Sequence, residues 1–443
     1  MPTDCADPQQ DGRDRSAGAR ALPRTRRRIL TRRGVIWLGQ TCNLRCYFCY
    51  FVDRIKDAHH PEHPFMSLEK AKEICKTLRE FYGCTSVDIQ GGEPTIHPHI
   101  LDLIAYCREI GLYPTLITNG IYLAKPGVLA KFQEAGIRDF LVSLHGIGEV
   151  HDQVVGRKKS YEKIITSIEG MRDLGIPFRF NCTMSEPVVP LLPQIAGKAI
   201  EYGALAVNFI AFNPFADQQQ GVRTGDNVPR YADLKGPLAG AIDLLEEADI
   251  ECNVRYLPMC MAEPRHRKNF YNYQQLSYDT HEWDFQSWLW TMMQPQMMRD
   301  GCLVPAFRIG GGGADNLYRN PFHRAHDYHS IAKEFAGHPV RGKLKFAWQH
   351  VAGRLEEAVR GKDTLYRKEA RDRAALDCGY KYHDACSQCA LREICDGFHG
   401  DYADFFGTDE ARPITDMTPT DDPLLFIREQ EKIVEEEDVE WAL

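Results

Sequence analysis

Three cysteines lie close together on one short segment, Cys42, Cys46 and Cys49, with the spacing C-x3-C-x2-C. A loop of this length can bring all three thiols to one metal centre. Thiolates are soft ligands that suit zinc or an iron-sulfur cluster, and three of them leave one coordination position open. An open position is typical of chemistry at the metal, so these are the candidate catalytic cysteines. On spacing alone, a zinc knuckle with a distant fourth ligand and three core cysteines remain alternatives.

A pair of glycines follows further along the chain, in Asp88-Ile89-Gln90-Gly91-Gly92-Glu93-Pro94. Glycine has no side chain, so a ligand can approach the backbone closely at such a position. Without the cysteines, an ordinary turn would explain the pair. Because the cysteine loop precedes it, we interpret the pair as part of a site beside that loop.

A second group of thiols near the end of the sequence comprises Cys378, Cys386, Cys389 and Cys395. Four thiols can enclose a metal completely, so this site would be structural or electron-carrying. A structural zinc ion is the alternative to an iron-sulfur cluster here, because all-cysteine zinc sites use similar spacings.

The elements that would position these motifs follow from an alternation of apolar runs and helical patterns. Amphipathic stretches such as Ser67 to Phe81 and Tyr161 to Leu174 separate the apolar runs. This alternation predicts an α/β fold with a parallel sheet, and such sheets place their chemistry at the carboxyl ends of the strands. The six predicted strands are Val35 to Leu38, Ser86 to Ile89, Pro114 to Ile117, Phe140 to Leu144, Phe178 to Cys182 and Val207 to Phe212.

The cysteine loop, with Phe48 before its last cysteine and Gly-Gly-Glu-Pro after a later strand, resembles the radical SAM superfamily over Arg33 to Asn213. The resemblance implies a partial (β/α)6 TIM-like barrel that binds a 4Fe-4S cluster and S-adenosylmethionine. Cys42, Cys46 and Cys49 would hold three irons, and S-adenosylmethionine would chelate the fourth. The other implied cofactor contacts are Phe48 beside the adenine, Gly91, Gly92 and Glu93 at the methionine end, and Ser143 and Asn181 near the ribose and carboxylate.

The C-x2-C-x5-C spacing of Cys386, Cys389 and Cys395 resembles the auxiliary-cluster extensions called SPASM and twitch. These extensions follow the barrel in many radical SAM enzymes. His399 stands where the typical SPASM pattern has a further cysteine. We therefore expect one auxiliary 4Fe-4S cluster with Cys378 as its fourth ligand, and with Cys260 and Cys302 as alternatives to Cys378.

Composition narrows the class of partner. The chain has 54 Lys and Arg against 62 Asp and Glu, a net charge of -8, so no general attraction to nucleic acid or to a membrane is expected. Its apolar runs are too short for a transmembrane helix. The Arg-rich beginning lacks the apolar stretch and cleavage site of an export signal, which favours a cytoplasmic protein.

The predicted organisation has four parts: a disordered Arg-rich tail (1–30), the barrel (31–215), a bridging region that covers the substrate (216–372), and a Cys-rich auxiliary-cluster domain (373–443) that ends in an acidic, solvated tail. The resemblance implies an oxidoreductase that takes electrons from a donor such as flavodoxin or ferredoxin. Its expected substrate is a small metabolite such as a sugar or nucleoside. A peptide or protein substrate is the first alternative, and a nonenzymatic zinc- or iron-sulfur-binding regulatory protein is the second.

Overall fold

A ten-stranded sheet organises the part of the chain that the computed structural model describes. The described residues are 22–26, 31–49, 63–80, 84–213, 227–276, 280–285, 307–309 and 379–438, with single positions between 340 and 364. The strands of the sheet are β2 (Thr31–Trp37), β3 (Ser86–Gln90), β4 (Tyr113–Thr118), β5 (Asp139–Ser143), β6 (Phe178–Met184), β7 (Ala206–Ala211), β8 (Glu251–Arg255), β9 (Phe270–Tyr271), β10 (Thr280–Phe285) and β11 (Phe307–Ile309).

Helices connect most of the successive strands. They are α1 (Leu68–Glu80), α2 (Ile100–Glu109), α3 (Val128–Ala135), α4 (Glu149–Val154), α5 (Ser160–Asp173), α6 (Leu192–Tyr202), α7 (Tyr231–Glu247), α8 (Tyr273–Leu276) and α9 (Gly400–Phe406). The sheet order is β11-β10-β2-β3-β4-β5-β6-β7-β8-β9. Every neighbouring pair is parallel except β10 and β11.

Burial alternates along the strands, as β6 shows. Phe178, Phe180 and Cys182 are buried, whereas Arg179 and Asn181 between them are half-buried. Since successive side chains of a strand point to opposite faces, one face of the sheet packs into the core and the other carries polar groups. The polar face lines a cavity of about 880 Å³ inside the curled sheet.

The predicted fold class is confirmed: the sheet forms an α/β partial barrel. All six predicted strands are present as β2 to β7, and the predicted helices correspond to α1 and α5. The prediction of six strands is too low, because β8 and β9 extend one edge and β10 and β11 the other. These four strands come from the predicted bridging region. Runs such as Glu251–Arg255 and Thr280–Phe285 are short and carry charges, so they lack the apolar signal of a buried strand.

The acidic C-terminal segment packs against the amino ends of the barrel strands. Glu437 is 3% exposed and pairs with Arg138, and Glu435 pairs with Arg179. Burial alone would raise the pKa of Asp139 beside them, but Arg138 and Arg179 outweigh it and lower that pKa to about 2. The expectation of a solvated acidic end is therefore wrong for these glutamates, because their partners lie far away in the sequence.

Part of the predicted disordered tail pairs with the same segment. β1 (Arg24–Thr25) forms a short antiparallel ribbon with β12 (Lys432–Ile433), and Arg24 contacts Asp249 at 3.1 Å. Residues 1–21 and 27–30 of the predicted tail lie outside the described residues. Across the described ranges, no helix has both the length and the apolarity needed to cross a lipid bilayer.

Candidate active site and second cysteine cluster

The loop that carries the first three cysteines follows β2 and is held from both sides by backbone hydrogen bonds. The amides of Gly92 and Glu93 donate to the carbonyls of Gly39 and Thr41, at 2.8 and 2.9 Å. On the other side, the amide of Arg45 donates to the carbonyl of Val155, at the end of α4, over 3.1 Å. The loop is thus fixed between the carboxyl end of β3 and α4, where parallel α/β folds place their active sites.

The three thiols converge in a half-buried position. Burial, together with the nearby carboxylate of Glu93, raises the pKa of Cys42 to about 12. The pKa of Cys46 is also raised, first by burial and then by the neighbouring thiols of Cys49 and Cys42. Thiols in this environment stay protonated until a bound metal centre stabilises the thiolates, so the triad suits a cationic iron cluster.

The glycine pair allows the cysteine loop to pass close to the end of β3. A Cβ at Gly92 would lie 2.3 Å from the carbonyl oxygen of Thr41, and one at Gly91 would lie 2.7 Å from that of Gly39. Gly91 also has φ of 151°, a conformation that other residues rarely adopt. Besides the predicted approach of a ligand, the glycine pair therefore allows the close approach of the protein's own backbone.

We predict that Gly92→Ala displaces the cysteine loop, because the new methyl group would meet backbone atoms that cannot rotate away. The free energy of unfolding should fall by about 1–3 kcal/mol, as for other overpacked sites, and iron incorporation should fall with it. Denaturant unfolding and iron analysis of reconstituted protein measure both. The matched control is Gly197→Ala in α6, where a Cβ meets nothing within 4 Å. Full iron content in Gly92→Ala would contradict this packing role.

Glu93 is buried, at 1% exposure, and its carboxylate is occupied by protein donors. It accepts hydrogen bonds from the hydroxyl of Thr118 at 2.6 Å, from the amide of Asn119 at 2.8 Å and from both the amide and the hydroxyl of Thr95. Burial raises its pKa, and these bonds act in the opposite direction. Glu93 therefore ties the end of β3 to the end of β4, and a contact to the methionine end of S-adenosylmethionine stays a prediction.

Asn119 is a site residue that the sequence analysis missed. Its side-chain amide donates to Asn43 Oδ1 at 2.7 Å and reaches Cys42 Sγ at 3.9 Å. Asn119 thus transmits the position of Glu93 to the cysteine loop. The available signal was Thr118-Asn119-Gly120 directly after an apolar strand, at the end where chemistry is expected.

Phe48 packs against the buried residue His145, which was not predicted from the sequence as a site residue. The ring centroids of Phe48 and His145 are 4.6 Å apart, edge to face, and Phe212 lies on another side of Phe48. Burial lowers the pKa of His145 to about 3, with a smaller contribution from His151. His145 is therefore neutral, and its Nδ1 accepts a hydrogen bond from the amide of Thr183 at 3.1 Å. The predicted position of Phe48 next to the adenine is not tested by these contacts.

The two predicted polar contacts, Ser143 and Asn181, are register partners on β5 and β6. The same row continues through Asn208 on β7 to Asn253 on β8. The Asn253 amide donates to Asn208 Oδ1 at 3.1 Å. The structure thus assembles a row of four polar residues across the barrel, of which two were missed. A polar residue inside an apolar strand was the only signal.

The second cysteine group surrounds a separate cavity of about 350 Å³ that Cys386, Cys389, Cys395 and Cys260 line together. Cys260 lies on the turn Met259–Met261 that follows β8. His399, at the start of α9, is not among the residues that line this cavity. Cys378 and Cys302 lie outside the described residues, so their predicted ligand roles stay predictions.

The family model of the radical SAM superfamily matches residues 38–190, which include the cysteine loop, the glycine pair and strands β3 to β6. This chain contains a radical SAM domain. The predicted cofactors, a 4Fe-4S cluster and S-adenosylmethionine, are confirmed as those of this superfamily, and the named relatives below confirm the prediction of an enzyme. The SPASM or twitch character of the C-terminal region stays a prediction.

Curated relatives match the radical SAM domain but differ in their named activities. The chain is 30% identical over 162 residues to the Fe-coproporphyrin III synthase of Methanosarcina barkeri, which covers 36% of this chain and 39% of that protein. It is 27% identical to the PqqA peptide cyclase of Bradyrhizobium diazoefficiens, over 37% of this chain and 42% of that protein. The chain therefore spans less than half the length of either relative.

Among solved structures, SuiB of Streptococcus suis bound to S-adenosylmethionine matches with a TM-score of 0.43 and 18% identity, over 58% of each chain.

Proposed function

We propose that this protein is a radical SAM oxidoreductase that modifies a small metabolite. The observation that carries the proposal is the convergence of Cys42, Cys46 and Cys49 beside the Gly91-Gly92 turn, at the carboxyl ends of two barrel strands. When bound, the 4Fe-4S cluster and S-adenosylmethionine supply a 5'-deoxyadenosyl radical that removes a hydrogen atom from the substrate.

The residues of the chain have separate tasks around these cofactors. The three cysteines hold three irons, and the open coordination position is left for S-adenosylmethionine. Phe48 and the neutral ring of His145 form an aromatic surface suited to an adenine. Ser143 and Asn181 offer hydrogen-bonding groups for the ribose and carboxylate. The surrounding barrel limits access of water, which would otherwise intercept a reactive species.

The polar row supports a hydroxyl-rich substrate such as a sugar or nucleoside. Ser143, Asn181 and Asn208 lie in register in one row and offer hydrogen-bonding groups along the inner face. Asn253 continues this row and binds Asn208, Glu251, Gln430 and Lys432 within the protein. The second candidate is a peptide or protein substrate. The match to a relative named PqqA peptide cyclase supports this candidate as strongly as the polar row supports a small metabolite. We expect a cytoplasmic protein that receives electrons from a flavodoxin or ferredoxin.

Anaerobically purified and reconstituted protein should form 5'-deoxyadenosine when it is given dithionite and S-adenosylmethionine. If the substrate is a small metabolite, the low-molecular-weight fraction of a cell extract should increase the rate of 5'-deoxyadenosine formation about tenfold or more. The reason is that a bound substrate supplies the hydrogen atom that the radical removes. A peptide fraction should not increase it. Stimulation by the peptide fraction alone would replace the metabolite proposal, and absence of 5'-deoxyadenosine would reject the proposed activity.

A further inference from the structure

The cavity between the barrel and residues 379–438 is enclosed by cysteines from both parts of the chain. Cys386 and Cys389 belong to the turn around Asp384–Gln388, Cys395 follows them, and Cys260 approaches from the barrel side. The thiol of Cys260 interacts electrostatically with those of Cys386, Cys389 and Cys395. Four sulfurs from two distant segments thus face one space.

Several backbone amides in this cavity point at sulfur. The amides of Met259 and Gly397 both donate to Cys395 Sγ, and the amide of Ile414 donates to Cys389 Sγ, each at 3.4 Å. Hydrogen bonds of this kind stabilise thiolates that ligate a cluster and tune its reduction potential. The side chains of Arg392 and Arg412 also line the cavity and supply positive charge near the sulfurs.

Contacts independent of any metal fix Cys260 relative to the other three cysteines. The buried carboxylate of Asp396 accepts a hydrogen bond from the amide of Tyr273 at 2.7 Å, and Gln275 Nε2 donates to the carbonyl of Ile394 at 2.8 Å. Tyr231 and Tyr402 stack with their centroids 3.6 Å apart. These contacts join the barrel to the segment that contains Cys395, so the four-cysteine arrangement is pre-organised by packing.

We infer that Cys260 is the fourth ligand of the auxiliary cluster, in place of Cys378. The inference rests on the proposed function for the identity of the cluster, but the placement of Cys260 comes from the cavity itself. A cluster with four thiolates has no open position, which suits electron transfer or structural support. Its ligand set would also link the barrel, through the turn after β8, to residues 379–438.

The test uses full-length protein in which Cys42, Cys46 and Cys49 are all alanine, so that only the auxiliary cluster remains. This background should retain about four irons per chain, resist a chelator and show no three-iron signal in electron paramagnetic resonance after mild oxidation. Adding Cys260→Ala to this background should leave one iron of the cluster without its thiolate ligand. The variant should then lose its iron to the chelator or give the three-iron signal. Adding Cys378→Ala should change neither measurement.

The matched control is Cys252→Ala, which removes a buried thiol from β8 in the same part of the chain. The Cys252→Ala variant should keep its iron, and that iron should resist the chelator. Circular dichroism should show that all variants remain folded. Cys260→Ser provides a milder second variant with the same expected exposure of one iron. If the Cys260→Ala variant keeps its iron in the presence of the chelator and the Cys378→Ala variant loses it, the inference is overturned, but the auxiliary cluster itself stands. A background without iron, or with zinc, would reject the cluster and the inference together.

Discussion

Replacing Cys42, Cys46 and Cys49 by alanine should abolish the reductive formation of 5'-deoxyadenosine. The three thiols converge on a loop that both β3 and α4 hold in place beside the Gly91-Gly92 turn. Without these ligands the radical-forming cluster cannot bind. The measurement is 5'-deoxyadenosine by chromatography after addition of dithionite, and the decrease should exceed about a thousandfold, because the uncatalysed reaction is negligible.

The control for this variant is Cys107→Ala. Cys107 is fully buried in α2, where its thiol lies 3.7 Å from that of Cys75. Its loss should reduce stability but not the iron content of the radical-forming site. Circular dichroism of the triple variant should match that of the wild type, since the loop is held mainly by backbone hydrogen bonds. Retained cleavage in the triple variant would reject the assignment.

Local patterns made the first site predictable. The spacing of Cys42, Cys46 and Cys49, the glycine pair and the apolar runs of β2 to β7 are each visible in a few consecutive residues. The carboxyl-end rule for parallel sheets then places the motifs beside each other. Structure and sequence agree on this site because each of its motifs consists of residues that are close together in the sequence.

Long-range pairing explains what the sequence analysis missed. Asn208 and Asn253 align with Ser143 and Asn181 only because of strand register, which no single strand specifies. Cys260 could be named from the sequence only as an alternative to Cys378, because its neighbour Met259 is 136 residues from Cys395 and no local spacing associates them. Glu435 and Glu437 form an acidic run whose arginine partners lie on β6 and immediately before β5.

The two cysteine clusters should separate cleanly in function. Wild-type protein should bind about eight irons per chain, four for each cluster. Alanine at both Cys386 and Cys389 should remove about half of them. Cleavage of S-adenosylmethionine should continue at a reduced rate, because the radical-forming site depends on the cysteine loop and the Gly91-Gly92 turn, which the second cavity does not contact among the described residues.

Product formation on the true substrate should fall at least about a hundredfold in the same variant, an effect typical of losing a group that supports the metal site or relays an electron. Comparing 5'-deoxyadenosine with product in one reaction measures both outcomes. His399→Ala serves as the control: this residue stands where the typical SPASM pattern has a cysteine but does not line the cavity, so its replacement should leave about eight irons bound. A fully ligated cluster can transfer electrons or support the fold, but it has no open iron on which S-adenosylmethionine could bind. Its loss should therefore reduce product formation far more than cleavage. Equal loss of cleavage and product in the double variant would show that the two sites do not act separately.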